Sequence, residues 1–151
     1  MITWYEDDGI KIRFDITPDV CMRYVCPWDD DETIKDIDKK PFINLKELYV
    51  ELNDIENSIV YDFTIPDGYC WDGASIPRLF WRLIGSKEDN RFLISSLIHD
   101  VLCENKDYVD YDRYFADKVF ERLLYIAKVP AFSRWLMFHC VDNYQKFCGW
   151  K

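Results

Sequence analysis

Ser58-Ile59-Val60-Tyr61-Asp62-Phe63-Thr64-Ile65-Pro66-Asp67-Gly68 is the stretch on which the fold turns. Up to Ile65 large apolar residues stand at every second position, the period of a strand with one face buried. Pro66 has no N–H for a ladder, and Pro-Asp-Gly is a turn sequence, so the strand stops there. Upstream, Leu45 to Leu52 repeats the alternation at Leu48, Val50 and Leu52. Thr3 to Tyr5 and Ile10 to Ile16 flank Asp8-Gly9, a hairpin signal when β-formers lie on both sides, and Val20 to Val25 is a further strand candidate. The first half therefore reads as a small antiparallel sheet.

Downstream of Gly68 the period changes. Tyr69 to Pro77 has no helical repeat and reads as an ordered loop. A short helix is expected from Pro77 to Ile84, with Ser75 as N-cap and Gly85 as its stop. Longer helices are predicted over 88–103, 111–127 and 131–147, with Pro130 between the last two. The expected fold is α+β, N-terminal antiparallel strands packed on a C-terminal three-helix region in one domain spanning 1–151. Residues 29–40, nearly all charged or polar, read as a solvated acidic loop. The Gly and terminal Glu of a calcium loop are missing from it.

The chain has 151 residues, 49% of them hydrophobic and 17% aromatic, enough for a substantial core. It has no basic leader followed by an apolar run and no segment of the length that spans a bilayer, so a cytoplasmic protein without membrane contact is expected. Six cysteines without a Cys-x-x-Cys pair read as reduced thiols rather than a zinc site. The net charge of −9 argues against a duplex DNA partner. That charge is uneven, with 18 acidic against 7 basic residues in 1–76 and 10 against 12 in 77–151, so a small anionic ligand suits the second half better.

Function is sought where polar side chains enter apolar helices. Phe92 to Leu102 is apolar around most of its circumference, which marks a buried helix. Ser95, Ser96 and His99 share the remaining face with Phe92 and Cys103, and Asp100 lies about a quarter turn away. A carboxylate in such a helix needs a partner, because burying it unpaired costs several kcal/mol or more. In the next helix Arg113 and Asp117 stand four residues apart at the border of the core stripe, a spacing that suits an ion pair. His139 lies in line with Phe132, Trp135 and Phe147 and reads as a core histidine.

Phe63 to Arg78, with its Asp72-Gly73-Ala74-Ser75-Ile76-Pro77-Arg78, resembles the opening motif of a phage and prophage family catalogued as domain of unknown function thirteen-fifty-three. Leu97-Ile98-His99-Asp100-Val101-Leu102 and Arg113-Tyr114-Phe115-Ala116-Asp117-Lys118-Val119-Phe120 resemble its second motif and the Arg-x-x-Ala-Asp-x-x-Phe that follows. Val141 to Gly149 is similar to the apolar helix with which members end, with Cys148 inserted before the glycine. The resemblance covers about 58–150 and leaves 1–57 as a variable strand-rich part. It implies a small accessory protein of a bacteriophage or prophage, acting in the host bacterial cytoplasm, with no assigned reaction.

Three readings of the polar residues follow. In a metal-dependent hydrolase, His99, Asp100, Asp117 and Asp72 would hold zinc, manganese or iron and activate a bound water. An adjacent His-Asp is similar to the metal-dependent HD-domain phosphohydrolases, which use further histidines, of which this chain offers only His139. The metal-free form makes Ser75 the nucleophile and His99 its base, although Gly73 to Pro77 lacks the Gly-x-Ser-x-Gly elbow. In a binding protein, Arg78, Arg82, Arg91 and Arg113 would cradle a small anionic ligand such as a nucleotide, Tyr69 or Trp71 would stack on its base and Asp72 would complete the ligand-binding set, or the chain would sequester a host ligand or inhibit a host protein. The third reading is a buried structural network of His99, Asp100 and Asp117.

Overall fold

The computed structural model describes residues 3–7, 9–14, 18–22, 40–55, 58–73, 80–84, 90–105 and 113–148. The acidic loop 29–39, the Ser75 cap, Arg78 and the Gly85 stop lie outside the described residues. The fold is α+β, and the chain divides into two compact units, Met1–Asp72 and Gly73–Lys151.

The first unit carries β1 (Thr3–Asp7), β2 (Ile10–Phe14), β3 (Val20–Met22), β4 (Phe42–Asn44), β5 (Leu48–Asp54), β6 (Ile59–Ile65) and β7 (Cys70–Trp71). They form two antiparallel sheets, β1-β2-β5-β6 and β3-β4-β7, where the alternation had suggested one. The expected hairpin is present, with Asp7 opposite Ile10 and Gly9 at φ 80°. Register in the larger sheet follows the apolar alternation. Ile12 faces Leu52 and Phe14 faces Val50, while Leu48 faces Ile65, and all six are buried. A one-residue slip would turn that whole set onto the opposite face. The polar face carries Arg13 opposite Glu51, 3.7 Å apart.

Two expectations are corrected here. Leu45 to Leu52 is not one strand, because 45–47 are exposed and separate β4 from β5. The loop expected from Tyr69 to Pro77 opens with β7, whose Trp71 is buried with its ring 5.6 Å from that of Phe42. Asn44 ties this corner together. Fully buried, it donates from Nδ2 to the carbonyls of Ile65 (3.4 Å) and Pro66 (3.0 Å). Its backbone accepts from Gly68 N–H at 2.8 Å and donates to Tyr69 O at 2.9 Å. Gly68, at φ 85°, closes the turn in the left-handed region that glycine tolerates.

The second unit carries α1 (Trp81–Ile84), α2 (Asn90–Glu104), α3 (Arg113–Ile126) and α4 (Ala131–Cys148). The three long helices lie within two residues of their expected bounds. Lys128 at φ 64° ends α3, with Val129 N–H returning to Leu124 O at 3.0 Å, and Pro130 begins the turn into α4 by accepting from Arg134 N–H at 2.9 Å. Ile84, Phe92, Phe120, Leu124, Val129, Met137 and Val141 form one buried cluster drawn from all four helices and the α3–α4 link.

Candidate functional site

Helix α2 buries its polar face along with its apolar one, and its serines show how it does so without a ligand. Ser95 Oγ donates to Phe92 O at 3.1 Å and Ser96 Oγ to Leu93 O at 3.0 Å, so each hydroxyl is satisfied within its own helix. An imidazole is too large to return to its own backbone in that way. His99 instead reaches α3, where its Nε2 lies 2.8 Å from Asp117 Oδ1. The side chains are 5% and 0% exposed. One turn further along α3, Phe120 sets its ring 5.1 Å from the imidazole. Helix α3 thus holds His99 by a carboxylate on one turn and an aromatic ring on the next.

A carboxylate oxygen accepts, so Nε2 donates, and the neutral imidazole then keeps its lone pair on Nδ1. Asp117 spends one oxygen in this way. Its other, Oδ2, is buried with no hydrogen-bond partner among the described residues. Cys103, one helical turn from His99, brings Sγ to 3.7 Å from Nε2 and 3.9 Å from Nδ1. Near-equal distances place the sulfur alongside the ring. An in-line bond to the Nδ1 lone pair would leave it much farther from Nε2.

The other expected site residues take different places. Asp100 is half-buried rather than sealed in the helix, and among the described residues of this unit the buried carboxylate is Asp117. Arg113 does not pair with Asp117: its Nη1 lies 2.9 Å from Asp142 Oδ1 and donates to Asp142 O at 3.0 Å, which joins α3 to α4. Asp117 points instead to His99. Trp71, buried in the first unit, offers no open face for stacking, and Asp72 closes that unit exposed. His139 is exposed, its ring 4.5 Å from that of Trp135, and not a core residue. Among the described residues no three His, Cys, Asp or Glu side chains are grouped to hold a metal ion. His99 and Asp117 are two of the four expected ligands and engage each other.

Two residues at these contacts have no role in the sequence reading. Asn44 gave no signal, since a buried Asn in a three-residue strand looks like any turn residue. Cys103 did give one, its i, i+4 spacing from His99 on a shared face, which the general reading of the cysteines as reduced thiols passed over.

Residues 48–141 match the family model described as "Protein of unknown function (DUF1353)". The chain belongs to this family. The matched segment contains β5, β6, α2 and α3 whole and ends within α4, so both halves of the His99–Asp117 pair lie inside it. A 67-residue part is 37% identical to "Uncharacterized protein y4jT" of Sinorhizobium fredii, covering 39% of this chain and 20% of that protein. The chain thus spans about a fifth of the relative's length. No solved structure matches it. The two helical motifs of the DUF1353 resemblance, His99-Asp100 and Ala116-Asp117-Lys118-Val119-Phe120, meet physically at one contact: Asp117 and Phe120 both engage His99.

Proposed function

We propose that this DUF1353 member is a small phage or prophage accessory protein that hydrolyses its substrate in the host cytoplasm, with His99 as the proton-transferring group and Asp117 orienting it. The observation that carries the reading is the buried 2.8 Å contact between His99 Nε2 and Asp117 Oδ1. A carboxylate that fixes one ring nitrogen as donor leaves the other as base, and stabilises the imidazolium once the proton arrives. Phe120 lies against the ring, where low polarity strengthens that attraction.

A second reading rests on one atom. Asp117 Oδ2, buried without a hydrogen-bond partner among the described residues, suits a ligand that donates a hydrogen bond, and the pair would then bind a small host molecule without chemistry.

The test assays the full chain, purified without chelator, on a carboxylic ester (p-nitrophenyl acetate) and a phosphodiester (bis-p-nitrophenyl phosphate). It is repeated with His99→Ala, with folding followed by circular dichroism and metal content by elemental analysis. Loss of a general base should lower the rate on one substrate about 100-fold or more in a folded variant. Equal rates in both proteins would overturn the hydrolytic reading in favour of binding. Stoichiometric metal that disappears in His99→Ala would make the pair a ligand set and overturn the proton-transfer role.

A further inference from the structure

We infer that Cys103 is the nucleophile of this site and that the substrate is an acyl compound, an ester, thioester or activated amide. The inference rests on the reading of His99 as proton-transferring group and extends it to a covalent step. Cys103 is half-buried, in no disulfide, and carries its sulfur within 4 Å of both nitrogens of an imidazole that a fully buried carboxylate holds in place. Cysteine, histidine and aspartate in this contact order are the nucleophile, base and orienting group of thiol acyl transfer. Sulfur is the suitable atom here. A thiolate beside an imidazolium is stabilised by proximity, and the alignment with the Nδ1 lone pair that proton transfer needs is made when substrate binds, as catalytic hydrogen bonds commonly tighten only then. Ser75 is not needed for this chemistry.

The step balances without a co-reactant other than water. The Cys103 thiol gives its proton to His99, and the sulfur attacks the acyl carbon. The carbon–sulfur bond forms as the bond to the leaving group breaks, and that group departs with the proton from His99. Water, deprotonated by His99, then attacks the thioester carbon, releasing the acid and restoring the thiol.

Cys140 provides an internal reference within the same helical unit. Half-buried as well, it has its thiol pushed up by burial, which keeps it protonated and slow to react. The full chain is treated with iodoacetamide at neutral pH, and modification of each cysteine is followed by peptide mass spectrometry. In parallel, acetyl transfer from p-nitrophenyl acetate is trapped by acid quench. Cys103 should be alkylated at least about tenfold faster than Cys140, and His99→Asn should remove that advantage while Cys140 keeps its rate. Acetyl should be found on Cys103 in the quenched protein. Alkylation of Cys103 no faster than Cys140, or at a rate unmoved by His99→Asn, overturns the proposal. So does a folded Cys103→Ser that keeps ester hydrolysis while His99→Asn loses it, an outcome that leaves His99 as base. Hydrolysis unaffected by either substitution overturns both readings together. If Cys103→Ser fails to fold, the alkylation comparison, made on the native cysteine, decides.

Discussion

Cutting the His99–Asp117 pair from one side should cost far more than removing it altogether. In His99→Leu the imidazole goes while Asp117, 0% exposed, stays, and both its oxygens then lack described partners where Oδ2 alone lacked one before. Leaving a buried carboxylate without its hydrogen-bond donor costs more than orphaning a neutral group, about 3 kcal/mol or more. In Asp117→Leu the orphan is a neutral imidazole, and the penalty is that of one unsatisfied buried group, about 1–3 kcal/mol. Replacing both removes the orphan, and apolar residues of the same shape in place of a hydrogen-bonded pair can be nearly neutral or stabilising. The double variant should therefore lie closer to wild type than His99→Leu does. The assay is urea denaturation at neutral pH followed by circular dichroism. A loss near 4 kcal/mol corresponds to a midpoint shift of roughly 2 M, and the double variant should recover most of it. Losses that add to within about 0.5 kcal/mol would mean the side chains do not interact, and would refute the reasoning.

Other consequences are smaller but as definite. Asn44→Ala removes both Nδ2 bonds at the Pro66 turn, one of them buried, so it should cost about 1–3 kcal/mol in urea denaturation. In Gly68→Ala the new Cβ meets nothing within 4 Å, so the cost is the left-handed backbone alone, about 1–2 kcal/mol, and Gly68→Asn should cost less. Phe132 and Trp135 are 60% and 58% exposed, so Phe132→Ser with Trp135→Ser should shift stability by no more than about 0.5 kcal/mol each, whereas Phe120→Ala, 1% exposed against His99, should lose about 3–5 kcal/mol.

How much was legible followed the length of each repeat. Leu48, Val50 and Leu52, with Ile59 to Ile65, span enough residues for period two to stand out, so both strands were visible, although β5 starts and ends later than the expected Leu45 to Leu52. The long helices were as plain, with Pro130 marking the break between two of them. β4 and β7, of three and two residues, are too short to show a period, so the second sheet was invisible and Trp71 looked like a loop aromatic. At the site, sequence shows only what is close along the chain. The i, i+4 spacing made Arg113 the visible partner of Asp117, whereas the partner found, His99, is 18 residues away across a helix interface. For the same reason a helix apolar nearly all round could not say whether Asp100 or His99 faced a neighbour. The angle that seals His99 leaves Asp100 half-buried.

The measurement closest to the central claim is a long-range nitrogen–proton correlation NMR spectrum of the uniformly nitrogen-15-labelled chain, with the His99 signals assigned by comparison with His99→Gln. The Asp117 contact places the proton of the neutral ring on Nε2, leaves Nδ1 unprotonated, and makes both signals change in Asp117→Asn. A proton on Nδ1, or signals indifferent to Asp117→Asn, would contradict it, since His99 would then be neither oriented by that carboxylate nor free to act as a base at the nitrogen assigned to it.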